Sequence, residues 1–156
     1  MGGGYMKNSV SPSPDRRTNS LQMIQQLVDE RTQMLSLYSE LAAKHPFVDA
    51  ESVSDILEQF CQALIDYTAD AHFRLYRFID EKKERRRAVL EVADRVYPKI
   101  VTSTQSILDF NDKYDLEDYS EQLFALESDL SRLGESLADR IELEDKVIDI
   151  LSAGKK

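Results

Sequence analysis

The chain has 156 residues, 29 of them acidic and 20 basic, for a net charge of −9, with 5 glycines, 4 prolines and 1 cysteine. That length suits one domain around one hydrophobic core, and so little Gly and Pro leaves few sites for hairpin turns. An acidic surface argues against direct DNA or RNA binding and for a basic protein partner, and a lone cysteine rules out a disulfide framework within the chain. No apolar run approaches the length of a membrane span, and the N-terminus lacks an apolar signal region. A cytoplasmic protein is the expectation.

Residues 1–18, "MGGGYMKNSVSPSPDRRT", are rich in Gly, Ser and Pro and are expected to form a disordered tail. Residues 19–156 are expected to form a single helical-bundle domain. A first helix is predicted from about Leu21 to Lys44, capped by Asn19 or Ser20, with Ile24, Leu27, Val28, Leu35, Tyr38 and Ala42 as its apolar stripe. Pro46 stops it. A second helix is predicted from near Ser52, where Asp55 completes a weak capping box, to about Glu81. The charged run from Glu81 to Arg87 reads as a break, an exposed turn or a continuing solvated helix.

A third helix is predicted over about Ala88 to Asp112, with a kink or short interruption at Pro98. Asn111 to Asp118 forms the next connection. A fourth helix is predicted from about Tyr119 to Ser152, with Leu123, Leu126, Leu130, Leu133, Leu137, Ile141, Ile148 and Leu151 as its stripe and Gly154 at its end. The fold class this implies is all-α, an up-and-down four-helix bundle with a disordered N-terminal tail.

Several residues break the pattern. At about 100° per residue, Leu57, Phe60, Leu64, Ala71, Leu75 and Phe78 centre the apolar face of the second helix, flanked by Cys61, Ile65, His72, Tyr76 and Ile79. Cys61 reads as a buried structural thiol. Gln59, Gln62, Asp66, Asp70 and Arg77 lie opposite, and Phe73 projects among them. Phe73 either packs on a neighbouring segment or anchors a protein interface, with Asp66 beside it as a salt-bridge acceptor. Arg31 and Glu144 fall in the centres of the first and fourth stripes, where a charge needs a partner. They either pair with each other across the bundle or line a polar cleft that receives a partner; the pattern alone leaves both open.

His72 reads as a satisfied residue at the edge of the apolar face. A di-iron bundle needs Glu-x-x-His pairs, and the residues three before His72 and His45 are Ala69 and Ala42. No phosphate loop, metal-ligand spacing or nucleophile–base set is present in the sequence, so neither a metal, a cofactor nor an enzymatic activity is expected.

The stretches "FCQALIDYTADAHFRLY" (Phe60 to Tyr76) and "RIELEDKVI" (Arg140 to Ile148) resemble most strongly, and "VYPKI", "FNDKYD" and "LVDERTQML" in support, the Rsd/AlgQ family of bacterial regulators of sigma D. Phe60, Cys61, Gln62, Asp66, Tyr67, His72 and Phe73 match the family pattern; Ala71 replaces its usual Gly. The resemblance implies a helical bundle acting as an anti-sigma factor. Its implied partner is region four of the primary sigma factor, a basic helix-turn-helix module, which it would keep from RNA polymerase and the −35 promoter element. Asp66 is then the implied acceptor for a sigma arginine, with Phe73 as anchor and Gln59 and Gln62 as polar contacts. Arg31, His72 and Glu144 become the polar interior of the binding cleft, and Tyr76 joins the set. A monomer is the favoured state. The alternative is a helical adaptor for a different regulatory protein.

Overall fold

The computed structural model describes residues 13–76, 87–115 and 118–153, with side chains over 21–74, at 87, and over 90–115 and 118–150. Among the described residues there are four α-helices and no strand: α1 (Ser13–Ala42), α2 (Ala50–Ala71), α3 (Arg87–Tyr114) and α4 (Leu126–Ala153). A π-helical turn, His72–Tyr76, follows α2, and a 3₁₀ turn, Ser120–Ala125, precedes α4. The expected all-α bundle is present.

Each helix buries a seam with alternating steps of three and four residues. On α2 it runs Val53, Leu57, Phe60, Leu64, Tyr67, Ala71. On α3 it runs Ala93, Val96, Ile100, Ser103, Ile107, Phe110, Tyr114, and on α4 Leu126, Leu130, Leu133, Leu137, Arg140, Glu144, Val147. Leu27, Met34 and Leu41 are the fully buried steps of α1. This is the spacing by which bundle helices pack knobs into holes. The closest packing is within the pairs α1–α2 and α3–α4, and the α2–α3 and α1–α4 contacts are thinner. Aromatic rings tie the pairs together: Phe60 meets Tyr38 edge-on at 5.7 Å and Phe110 at 6.0 Å. Tyr38 also donates a 2.7 Å hydrogen bond to the Leu130 carbonyl, beside Gly134.

Several predicted boundaries shift. α1 begins at Ser13, upstream of the Asn19 or Ser20 cap, so the expected tail overlaps the helix; residues 1–12 lie outside the described residues. In its stripe, Leu35 and Ala42 are exposed, and Met34, Leu37 and Leu41 are buried instead. α2 starts at Ala50 because Asp49 is the cap, its carboxylate accepting from Ser52 N at 2.8 Å. At Ala71 the α-helix passes into the π turn, and the predicted end near Glu81 lies outside the described residues. The break expected at Glu81 to Arg87 falls on residues 77–86, outside the described residues, up to the start of α3 at Arg87. α3 passes through Pro98 without interruption. On α4, Arg140 rather than Ile141 holds the buried step, and Ile141 is half-buried.

Candidate partner-binding site

The polar residues on the four seams meet one another. Tyr67 of α2 is fully buried, and its hydroxyl donates to the Glu144 carboxylate, 2.8 Å from Oε1 and 2.9 Å from Oε2. Arg140, one turn before Glu144 on α4, donates from Nε to the Tyr67 oxygen at 3.1 Å. Its Nη1 donates to Thr104 Oγ1 at 2.8 Å, Ser103 Oγ at 3.1 Å and the Ile100 carbonyl at 3.4 Å, all on α3. Arg31 of α1 completes the set, with Nη1 3.2 Å from Glu144 Oε1 and 2.9 Å from Asp145 Oδ1.

Exposure separates the members: the Arg140 and Glu144 side chains are 1% and 0% exposed, that of Arg31 13%. Two unlike charges at that depth persist because each is hydrogen-bonded on several sides. Burial, and then the negative charge of Glu144, push the Tyr67 hydroxyl far above the usual tyrosine range, so it remains a donor. Burial weakens the Arg31 cation, but Asp145 and Glu144 more than restore it. Of the two accounts left open for Arg31 and Glu144, pairing across the bundle is the one found.

The surface chemistry lies on the other side of α2. Gln59, Gln62 and Asp66 are exposed along one ridge, and Gln62 Nε2 donates to Asp66 Oδ1 at 3.0 Å. Phe73, in the π turn, is 56% exposed. Its ring stands edge-on to His72 at 5.4 Å. His72 is itself exposed rather than a satisfied residue of the apolar edge, since the widened turn begins at this residue, and it lines the groove between α2 and α3. Tyr76 belongs to the same turn, and its side chain lies outside those described.

Beside the ridge, a groove of about 390 Å³ separates α2 and the π turn from α3. Ile65, Ala69 and Phe73 form one wall, and Tyr97, Val101 and Leu108 the other. Val101 and Leu108, exposed by 51% and 41%, give that wall an apolar rim. Arg140 and Thr104 also line it, so the buried network reaches the groove. The site thus joins an apolar trough to a polar ridge that carries Asp66, with Phe73 between them.

Cys61 is buried within α2, and burial, with the negative charge of Asp115, pushes its thiol up to about 12. It is a packing residue, as its position in an apolar stretch suggested. Among the described residues, no group of three or more His, Cys, Asp or Glu is arranged to hold a metal ion. No described helix is long and apolar enough to cross a membrane.

The sequence reading named Arg31 and Glu144 but passed over Tyr67 and Arg140 as network members. The signal was present: both stand on alternating three-and-four steps among leucines.

Fold and surface together define an all-helical bundle held by a buried ion network, with Asp66 and Phe73 exposed beside one groove. Over residues 6–152 the chain matches the family described as "Regulator of RNA polymerase sigma(70) subunit, Rsd/AlgQ", and it belongs to that family. It is 33% identical over 147 residues to the "Regulator of sigma D" of Enterobacter sp. (strain 638), covering 92% of this chain and 88% of the relative. It is 29% identical over 147 residues to the protein of that name from Yersinia enterocolitica, serotype O:8 / biotype 1B, with the same coverage. The Yersinia pestis protein of that name is 29% identical over 151 residues, covering 92% of this chain and 87% of its own length. No solved structure matches the chain significantly.

Proposed function

We propose that this protein is an anti-sigma factor that binds region four of the primary sigma factor and withholds it from RNA polymerase and the −35 promoter element. The observation that carries the reading is the pairing of exposed Asp66 with exposed Phe73, at the positions where the sequence resembles the family's strongest motif. Region four is a basic helix-turn-helix module. An amphipathic helix of that kind would lay apolar side chains in the α2–α3 groove and direct an arginine to Asp66, with Gln59 and Gln62 as polar contacts.

Arg31, Tyr67, Arg140 and Glu144 act in this reading by fixing the relative positions of the helices that carry the surface. Sequestration is an equilibrium of surfaces and needs no bond chemistry, cofactor or metal. The working state is a cytoplasmic monomer with one helical domain.

Calorimetric titration of the whole chain with the isolated region-four fragment tests the proposal. Saturable one-to-one binding is expected. Asp66→Ala is expected to weaken it by about 2 kcal/mol or more, roughly thirtyfold in Kd, with unchanged helical circular dichroism. Wild-type affinity in a folded Asp66→Ala protein would remove Asp66 from the interface. Absence of wild-type binding would point to a different regulatory partner.

A further inference from the structure

The loop between α1 and α2 and the turn that leads into α4 meet at the end of the bundle away from Phe73. His45 Nε2 is 3.1 Å from Glu127 Oε1, and the buried Tyr119 donates its hydroxyl to the Ala50 carbonyl at 3.2 Å. Each segment is also fixed locally. Asp49 caps α2 through Ser52 N, and Asp118 Oδ1 accepts from Ser120 N at 3.0 Å and from Ser120 Oγ at 2.6 Å. Each turns one apolar side chain inward and its neighbour outward. Phe47 packs on the core and Leu123 is buried, which leaves Val48 75% and Phe124 88% exposed. One exposed apolar residue is ordinary. Two of them, on adjoining segments already held in place, are anchors that a partner meets at little cost in ordering.

The charge around them has one sign. Asp49 and Glu51 at the start of α2, Asp118 and Glu121 of the turn, and Glu127 of α4 are all exposed. Within 44–51 and 118–127 the basic residues are Lys44 and His45, and His45 is held by Glu127. Lys113 and Arg132, the last cation of α3 and the first of α4, are both tied to Asp129, at 2.8 and 2.9 Å. Glu51 and Glu121 make no ion pair among the described residues. This charge decides the occupant. It repels nucleic acid, an anionic membrane surface and the same face of a second copy alike. It attracts a segment that carries lysine or arginine beside apolar side chains.

We propose that this end of the bundle is a second docking surface, which takes a basic, apolar-faced segment of another protein onto Phe124 and Val48. It is separate from the surface proposed for region four. The 22 residues of α2 set the two ends about 33 Å apart, enough for both to be occupied at once. Glu51 and Glu121 receive the cations, and the two apolar side chains fix the position of the segment between them.

Nitrogen-15 NMR of the whole chain tests this, with a helical leucine–lysine peptide as the probe and its leucine–glutamate counterpart as control. Saturable shifts of the backbone amides in 44–51 and 118–127 are expected with the first peptide and none with the second. Phe124→Ser is expected to weaken binding at this end about tenfold, and so is Glu51→Lys combined with Glu121→Lys, with unchanged helical circular dichroism in each. Shifts confined to Asp66, Phe73 and the α2–α3 groove overturn the proposal, and so does an affinity at this end that either variant leaves unchanged. The region-four fragment provides a second arm. It is expected to leave the amides of 44–51 and 118–127 unmoved and to bind the Phe124→Ser protein as it binds the wild type. Shifts at this end, or weaker binding by Phe124→Ser, would merge it with the sigma surface and overturn the second site.

Discussion

At the scale of single residues, the core is decided by a few polar atoms. Glu144 is fully buried and receives hydrogen bonds or ion-pair contacts from Tyr67, Arg31 and Arg140. Its removal leaves the buried Arg140 guanidinium short of its counter-charge. Glu144→Ala is therefore expected to cost about 3–5 kcal/mol, read as a lower urea midpoint at unchanged slope. An unchanged midpoint would mean that water or another group takes over the carboxylate's role. Half of this network was legible in the sequence: a lone Arg or Glu amid leucines announces that it needs a partner. Tyr67 and Arg140 were hidden for physical reasons. A tyrosine body is apolar enough to pass for ordinary core. Arg140 was masked by its neighbour Ile141, because a straight-helix projection drifts about 20° per heptad from the seam that packed helices keep. Over the 28 residues of α4, that drift moves the expected stripe by nearly one residue. The exchange of Met34, Leu37 and Leu41 for Leu35 and Ala42 on α1 is the same kind of error.

At the scale of elements, helix existence was the easiest feature to read and helix ends the hardest. Long amphipathic stretches separated by Pro46 and by polar turns left little choice but four helices. Their ends depend on single side chains, as Asp49 shows by capping α2 ahead of the expected Ser52. The π turn has no signature in composition, yet it sets the directions of His72, Phe73 and Arg74. The α1–α4 contact provides a test of packing at this scale. A Cβ on Gly134 would collide with the Tyr38 hydroxyl, which is held by the Leu130 carbonyl. Helix propensity favours alanine over glycine by about 1 kcal/mol in an open position. Here Gly134→Ala is expected to destabilise by about 1–2 kcal/mol net, since the ring must shift and its hydrogen bond weakens. In a Tyr38→Phe background the same change should become nearly neutral. Thermal or urea melts of the four proteins check this, and a stabilised single variant would show that the ring moves freely.

At the scale of the whole molecule, the net charge of −9 and Asp66 would act together on the basic region-four partner proposed above. Such a field steers encounter more than it tightens the final complex. Raising salt from about 50 mM to 300 mM, which shortens the Debye length from over 10 Å to under 8 Å, is expected to slow association with region four. Dissociation should change less, and stopped-flow mixing separates the two. An equal effect on both rates would place the salt sensitivity in the docked contacts themselves. The buried network has a consequence of another kind. Apart from the Arg140–Glu144 contact within α4, its bonds cross between helices and join residues up to 113 positions apart, so they form only once distant parts of the chain have come together. Interactions absent from the folding transition state have little part in the folding barrier and a large part in the unfolding one. Truncating Arg31, Tyr67, Arg140 or Glu144 is therefore expected to shorten the lifetime of the folded bundle more than it slows assembly, which unfolding and refolding rates measured side by side would check.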